Sequence, residues 1–134
     1  MRAQIVTALA LFFVIMVSGC TSKVGHDKVV GNFEVRYTYG TEKLQLHKDR
    51  TYVQSVFING ERAPKTNNGR WEFDEEYSEV ILFDAMMVDD GFGRLEPAYW
   101  KTVPGASRLA ARKSLGKVSL FHSGDRDFVF KKEK

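Results

Sequence analysis

The sequence contains one cysteine and three histidines, the residue types best suited to nucleophilic or metal-binding chemistry. Cys20 cannot form a disulfide within the chain, because there is no second cysteine to pair with it. His26, His47 and His122 are isolated from one another, whereas zinc-binding histidines commonly recur at i, i+2 or i, i+4. The pattern predicts no metal site. Among these four residues, only Cys20 has a position in the sequence that indicates its chemistry.

His122-Ser123-Gly124-Asp125 contains the residue types of a hydrolytic triad. The side chains of a triad converge from separated segments, and neighbours in a tight turn cannot adopt that geometry. The chain also lacks the Gly-x-Ser-x-Gly pattern of a nucleophile elbow. These four residues therefore predict a hairpin turn.

Carboxylates are concentrated in two clusters, residues 74–76 with Glu79 and Asp84 with residues 89–90. Neither cluster has the fixed alternate spacing, the glycine and the distal glutamate of a calcium loop. Paired carboxylates for glycoside hydrolysis stay open at this level, because their separation is a tertiary quantity. We predict that both clusters are solvated loop charge, and that the chain has no catalytic residue and no cofactor.

The segment that leads to Cys20 has the organisation of an export signal. Residues 5–17 are apolar apart from Thr7, and Arg2 is the one charged residue before them. As a helix this run spans roughly 20 Å, which is short of a hydrocarbon core of about 30 Å. Its length is typical of a signal peptide rather than of a stable membrane span.

The run ends in Val17-Ser18-Gly19-Cys20, which resembles the lipobox of bacterial lipoproteins. The resemblance implies that residues 1–19 are removed, that the Cys20 thiol carries a diacylglycerol, and that the new amine is acylated. Two or three acyl chains give essentially permanent anchoring. Under that family's sorting rule, Thr21 implies the outer membrane, with the domain facing the periplasm. The alternatives are an ordinary signal peptide or an uncleaved anchor with an incidental cysteine.

Length and charge bound the rest of the chain. Without residues 1–19 the chain has the length of one small domain, with a net charge near +2. That charge gives no reason to expect a nucleic-acid partner. We divide the chain into a signal peptide (1–19), a polar tether (20–30) and one folded domain (31–134).

Alternating apolar and polar residues predict β-strands in that domain. The alternation is strictest at Phe33, Val35 and Tyr37, and Leu44 with Leu46 begins a hairpin that turns at residues 48–50 and returns along residues 51–58. Turns are predicted at Asn59-Gly60, as type I′, and at Asn67-Asn68-Gly69. Further strands are predicted around residues 71–73, 80–83, 117–122 and 127–132.

Seven to eight short strands predict an all-β fold, a small antiparallel barrel or sandwich. Three stretches are similar to small lipocalin-like barrel domains of bacterial lipoproteins whose activity is uncharacterised. They are Gly31-Asn32-Phe33-Glu34, then Leu44-x-Leu46 before Asp49-x-Thr51-Tyr52, and Asn68-Gly69-Arg70-Trp71-Glu72. This resemblance implies a fold and no activity.

Residues 89–115 are the candidate functional segment, because they read as a long irregular stretch and such stretches are often functional. Aromatic residues beside basic ones suit a protein partner or an anionic ligand. One alternative is that the basic residues lie against anionic headgroups. The other is that Tyr99 and Trp100 plug one barrel end while the lysines and arginines keep the rim soluble. The candidate partner-binding residues are Phe92, Tyr99, Trp100, Arg108, Arg112 and Lys113.

The sequence therefore predicts a membrane-anchored envelope lipoprotein that acts as a non-enzymatic binding domain. Its expected partners are membrane lipid, through acylated Cys20, and an envelope protein or small ligand. One alternative is an inhibitor or immunity protein against a periplasmic toxin or hydrolase. The other is a periplasmic hydrolase.

Overall fold

The computed structural model describes residues 23–87, 105–122 and 129–134 and confirms the all-β prediction. Eight antiparallel strands follow one another around a closed barrel, and β8 pairs with β1 to close it. Among the described residues one short helix, α1 (His26–Val29), precedes the strands. The strands are β1 (Gly31–Tyr37), β2 (Gly40–Leu46), β3 (Thr51–Ile58), β4 (Lys65–Asp74), β5 (Glu79–Phe83), β6 (Ala106–Ser114), β7 (Lys117–His122) and β8 (Val129–Lys132).

Up-and-down connections distribute the turns between two ends of the barrel. The end that carries α1, called the α1 end below, also has the turns at residues 47–50, 75–78 and 115–116. The other end, called the far end, has the turns at residues 38–39 and 59–64. The described chain also stops at Met87 and resumes at Gly105 at the far end. Residues distant in sequence therefore meet at the same end.

Side chains fill the barrel interior. Phe33, Tyr52 and Trp71 are fully buried on β1, β3 and β4, and Leu109, Leu120 and Phe130 meet them from β6, β7 and β8. Along each strand a buried residue alternates with a more exposed one, as on β3 and β5. A pleated strand points successive side chains to opposite faces, so every second residue belongs to the interior.

The largest ring on β3 passes over a glycine on β4. Tyr52 and Gly69 are directly paired, and a Cβ at position 69 would lie 2.6 Å from Tyr52 Cε1. The Tyr52 hydroxyl continues across β4 and donates to the Phe83 carbonyl on β5 at 2.8 Å. Burial raises the pKa of this phenol to about 12. The Tyr52 ring therefore requires a glycine at position 69, because any side chain there would occupy the space of the ring.

The residues before β1 close the α1 end. Val24 and Val29 are buried, and the His26 ring stacks on the Trp71 indole with centroids 5.1 Å apart and planes within 9°. Trp71 Nε1 in turn donates to the His47 carbonyl at 3.0 Å. Residues 20–30 were predicted to form a polar tether, but from Lys23 onward the chain packs on the barrel, because two valines bury apolar surface there. Among the described residues no helix is long and apolar enough to span a membrane.

One predicted turn was wrong, and the type predicted for another was wrong. Residues 67–69 continue β4, because Gly69 makes room for Tyr52 rather than bending the chain. At Asn59-Gly60 the chain does turn, but only Gly60 has a positive φ, of 83°, whereas type I′ needs positive φ at both central residues. Asn59 instead uses its side chain, whose Nδ2 donates to the Thr38 carbonyl at 3.2 Å.

The predicted irregular segment is also partly wrong, because its last part is β6. Leu109 and Ala111 are buried on this strand among exposed or half-buried neighbours. Three alanines and three cations hide the alternation in the sequence. Pairing with β5 on one side and β7 on the other makes the segment a strand.

We expect Gly69→Ala to lower the free energy of unfolding by about 1–3 kcal/mol, because the new methyl group collides with a buried ring that cannot move freely. Urea denaturation followed by tryptophan fluorescence measures the loss. Gly25→Ala is the matched control, since a Cβ there meets nothing within 4 Å and its φ is −84°. Equal stability of the Gly69→Ala and Gly25→Ala variants would contradict this account of the glycine.

Candidate functional site

A small cavity at the far end of the barrel is the candidate site, and a carboxylate lines it. Glu42 occupies an inward position of β2, in phase with Leu44 and Leu46, and is only 5% exposed. Gln54 is an inward residue of β3, directly paired with Leu44 and lying between Tyr52 and Val56, and it is 4% exposed. Among the described residues these are the two buried polar side chains. The sequence analysis missed both, although extending the period of two from Leu44 would have reached Glu42.

Hydrogen bonds connect the Glu42 carboxylate to its neighbours. Gln54 Nε2 donates to Glu42 Oε1 at 2.7 Å, and the Tyr37 hydroxyl donates to Glu42 Oε2 at 3.1 Å. A buried charge is tolerated only when it is paired or hydrogen-bonded in this way. These two hydrogen bonds provide each oxygen of the Glu42 carboxylate with a donor. The interior of the far end therefore accommodates this polar side chain.

The Gln54 amide also binds the backbone of Met86, which comes after a short turn at the end of β5. Its Oε1 accepts from the Met86 N–H at 2.9 Å, and its Nε2 donates to the Met86 carbonyl at 2.6 Å. An amide side chain supplies the same donor and acceptor as a peptide group. Gln54 therefore acts as a strand partner for Met86 where β5 has ended.

A second set of contacts joins the residue that follows β5 to the residue that precedes β6. The Asp84 N–H donates to the Gly105 carbonyl at 2.9 Å, and the Gly105 N–H donates to Asp84 Oδ1 at 3.3 Å. Asn67 Nδ2 donates to the Asp84 carbonyl at 3.0 Å from β4. We call these contacts, with the Gln54–Met86 pair, the far-end clasp. The clasp fixes Met86 and Gly105 to the barrel.

The cavity beside the clasp has a volume of about 50 Å³. Water needs roughly 10–15 Å³ by the same measure, whereas pockets for small organic ligands hold roughly 300–1,000 Å³. Its lining is mixed, with Tyr37, Glu42, Gln54 and His122 as polar members and Leu82, Ala85, Met86, Met87, Leu109 and Phe130 among the apolar ones. The cavity is sized for a few water molecules.

The three histidines lie at separate places. His26 stacks on Trp71 at the α1 end. His47 is exposed at the turn after β2, where its Nδ1 lies 3.0 Å from Thr51 Oγ1. His122 lines the far-end cavity against Phe130, with ring centroids 5.9 Å apart. In the part of the chain that the structure describes, no three histidine, cysteine or acidic side chains are grouped as a metal would require.

The first acidic cluster has a structural role. Asp74 Oδ1 accepts from the backbone N–H groups of Glu76 and Tyr77 at 3.0 and 3.1 Å, which holds the turn between β4 and β5. Arg108 on β6 bonds Glu79 at 2.9 Å and lies 3.6 Å from Asp74. The hydrogen bond to Glu79 raises the pKa of Arg108. Because these groups are partly solvated, the ion pairs contribute little to stability.

Of the candidate partner-binding residues, the structure describes three, and all three lie on β6. Arg108 is paired with acids on the barrel wall, and the Arg112 guanidinium lies 5.5 Å from the Phe121 ring. Lys113 is near the last residue of β6, at the α1 end, about 26 Å along the strand from Gly105. Phe92, Tyr99 and Trp100 lie outside the described residues, as do Cys20, residues 89–90 and the predicted Ser123-Gly124-Asp125 turn.

Comparison of the chain with protein-family models, curated proteins and solved structures finds no match. Function therefore has to be inferred from the residues themselves.

We expect Gln54→Leu to lower the free energy of unfolding by about 2–4 kcal/mol, because it removes the partners of the Met86 backbone and a donor to a buried carboxylate. The same substitution at Gln45, which is exposed on the outer face of β2, is the matched control. Urea denaturation gives the stabilities, and hydrogen exchange at Met86 reports the clasp. If the Gln54→Leu variant keeps the wild-type exchange rate at Met86, the amide does not hold that segment.

Proposed function

We propose that the protein is a lipid-anchored protein of the bacterial envelope, with a lipocalin-like barrel that binds a protein partner and catalyses no reaction. The observation that carries the proposal is the filled interior. Phe33, Tyr52 and Trp71 occupy the space that a lipocalin-type ligand would need, and the remaining cavity of about 50 Å³ admits only water. The barrel is then available for recognition through its surface.

The anchor is inferred from the N-terminal sequence. Residues 5–17 have the length of a signal-peptide core, and Val17-Ser18-Gly19-Cys20 has the pattern of a lipobox. Acylation of Cys20 also accounts for the presence of a single cysteine in an exported chain, where a free thiol would be reactive. The protein is then held in the outer membrane and faces the periplasm.

The partner is expected to bind residues 88–104, which contain Phe92, Tyr99 and Trp100. Aromatic side chains of this kind dominate the energy of many protein interfaces. The far-end clasp supports this assignment, because it holds Met86 and Gly105, the described residues near either side of the segment, to the barrel. Fixed ends reduce the conformational entropy that is lost on binding. The partner of an inhibitor or immunity protein would be a periplasmic toxin or hydrolase.

A periplasmic hydrolase is the second candidate, and one observation favours it. Glu42 and His122 line the same cavity. General acid–base catalysis needs a substrate atom within hydrogen-bond reach of such a group. A volume of about 50 Å³ admits water but excludes a sugar ring or an acyl chain, so binding is better supported.

Cys20→Ser should abolish metabolic labelling with palmitate and release the protein from the membrane fraction, because the serine hydroxyl cannot accept the thioether-linked lipid. Ser18→Ala is the matched control, since it keeps a small residue before the cleavage site and should keep the label. A labelled and membrane-bound Cys20→Ser variant would rule out this anchor.

Trp100→Ala should lower recovery of a crosslinked envelope partner by about tenfold or more, the effect of removing a central aromatic contact. Gln45→Ala is the comparison, since Gln45 is exposed on the outer face of β2 and should leave recovery unchanged. Crosslinking in cells, affinity purification and quantitative mass spectrometry measure both variants. The binding proposal fails if the wild type recovers no partner, and the assignment to residues 88–104 fails if the Trp100→Ala variant recovers as much as the wild type.

A further inference from the structure

The most exposed large apolar side chain in the described residues is at the α1 end. Leu115 is 99% exposed at the tip of the β6–β7 hairpin. The turn has two central residues, and both have positive φ, 48° at Leu115 and 77° at Gly116. Asparagine, aspartate and glycine favour that conformation, whereas leucine is strained in it. The exposed position therefore combines backbone strain with an apolar side chain that contacts nothing in the barrel.

A second exposed apolar side chain lies at the same end. Tyr77 is 67% exposed in the turn between β4 and β5. The two others among the described residues, Phe57 and Met87, are only 43% and 44% exposed and lie toward the far end. Tyrosine is enriched at membrane–water interfaces, where its ring sits at headgroup level. The most exposed apolar groups are thus concentrated at one end of the barrel.

Basic side chains surround this end. Lys113 and Lys117 flank the Leu115 tip and are exposed, and a surface groove beside α1 is lined by Lys23, Lys28 and Arg50. Asp27 and Glu75 line the same groove, and Glu76 is exposed beside Tyr77. The cations are in excess around Leu115 itself, where the hairpin tip carries two lysines and no acid. An apolar tip between two lysines suits a surface of acyl chains covered by anionic headgroups.

The chain also directs this end toward the lipid. Cys20 precedes Lys23 by three residues, which span at most about 11 Å even when fully extended. Lys23 lies at the α1 end, beside α1. The far end is separated from it by the length of the strands, roughly 20–25 Å for β1 to β3. An acyl chain on Cys20 therefore brings the α1 end to the membrane first.

We propose that the α1 end of the barrel docks on the membrane surface, with Leu115 entering the boundary between headgroups and acyl chains and Lys113 and Lys117 contacting anionic phospholipid headgroups. This inference rests on the proposed acylation of Cys20. It adds a fixed orientation to the anchor, because the far end of the barrel, with the clasp, then points away from the bilayer.

The test is hydrogen exchange of the purified mature protein on vesicles of phosphatidylethanolamine and phosphatidylglycerol, compared with the same protein in neutral detergent. Amides of the turns at residues 75–78 and 115–116 should exchange at least about threefold more slowly on the vesicles. Amides of the turn at residues 59–64 should be unchanged. Equal rates at both ends, or slowing at the far end instead, would overturn the inference.

Leu115→Asn is the diagnostic variant, because asparagine fits the positive φ and preserves the turn. It should stay anchored through its lipid but lose the slowed exchange at both turns of the α1 end. Phe57→Thr is the matched control, since it removes an exposed apolar side chain near the far end and keeps a strand-forming residue. Loss of slowed exchange in the Phe57→Thr variant, or its persistence in the Leu115→Asn variant, would contradict the role of Leu115.

Failure of the anchor is distinguished by mass spectrometry of the same mature protein. If Cys20 carries no acyl groups, the proposed anchor is wrong, and the free thiol is then coupled to maleimide-bearing lipid in the same vesicles. Slowed exchange at the α1 end after coupling would support the docking surface independently of natural acylation. Absence of slowing after coupling would overturn it.

Discussion

The passage of the Tyr52 ring over Gly69 is the contact on which the interior of the barrel depends. A closed barrel of eight strands has an interior that side chains can just fill, so large rings must cross neighbouring strands without collision. Tyr52 meets this constraint by passing above the one residue of β4 that has no side chain, and its hydroxyl reaches β5. Trp71 fills the adjacent level and is covered by His26. The packing of the interior therefore depends on which strands are neighbours, because Tyr52 on β3 needs Gly69 on β4 beside it.

The filled interior determines what the remaining polar groups can do. Because aromatic side chains occupy the middle of the barrel, Glu42 and Gln54 are confined to the far end, beside a cavity of about 50 Å³. Gln54 uses its amide on the Met86 backbone as well as on the carboxylate. The polar interior therefore supports the chain that leaves the far end, and its volume is too small for an organic ligand.

The two ends of the barrel have different chemistry as a result. The α1 end is closed by apolar contacts of Val24 and Val29 and presents lysines and an exposed leucine to the outside. At the far end, the clasp holds the residues that follow β5 and the residue that precedes β6. With the proposed lipid at Cys20, the barrel would hold its far end away from the membrane.

The sequence by itself determined the class of fold, because alternation with a period of two is a local property: Phe33 with Val35 and Leu44 with Leu46 show it directly. The lipobox pattern before Cys20 is equally local, and its chemistry remains a prediction. Local sequence patterns gave wrong predictions where the role of a residue depends on a side chain distant in the sequence. Gly69 resembles a turn glycine, but its place in β4 follows from a ring on β3.

Only the tertiary structure decided how the site is assembled. β6 is a strand because β5 and β7 flank it, although its alanines and cations hide the alternation. Glu42, Gln54 and Met86 meet at the far end because the barrel closes, and no spacing in the sequence relates them. Closure also separated Lys113 from the far end by the length of a strand. Distances between strands depend on register and topology, and a linear pattern does not contain them.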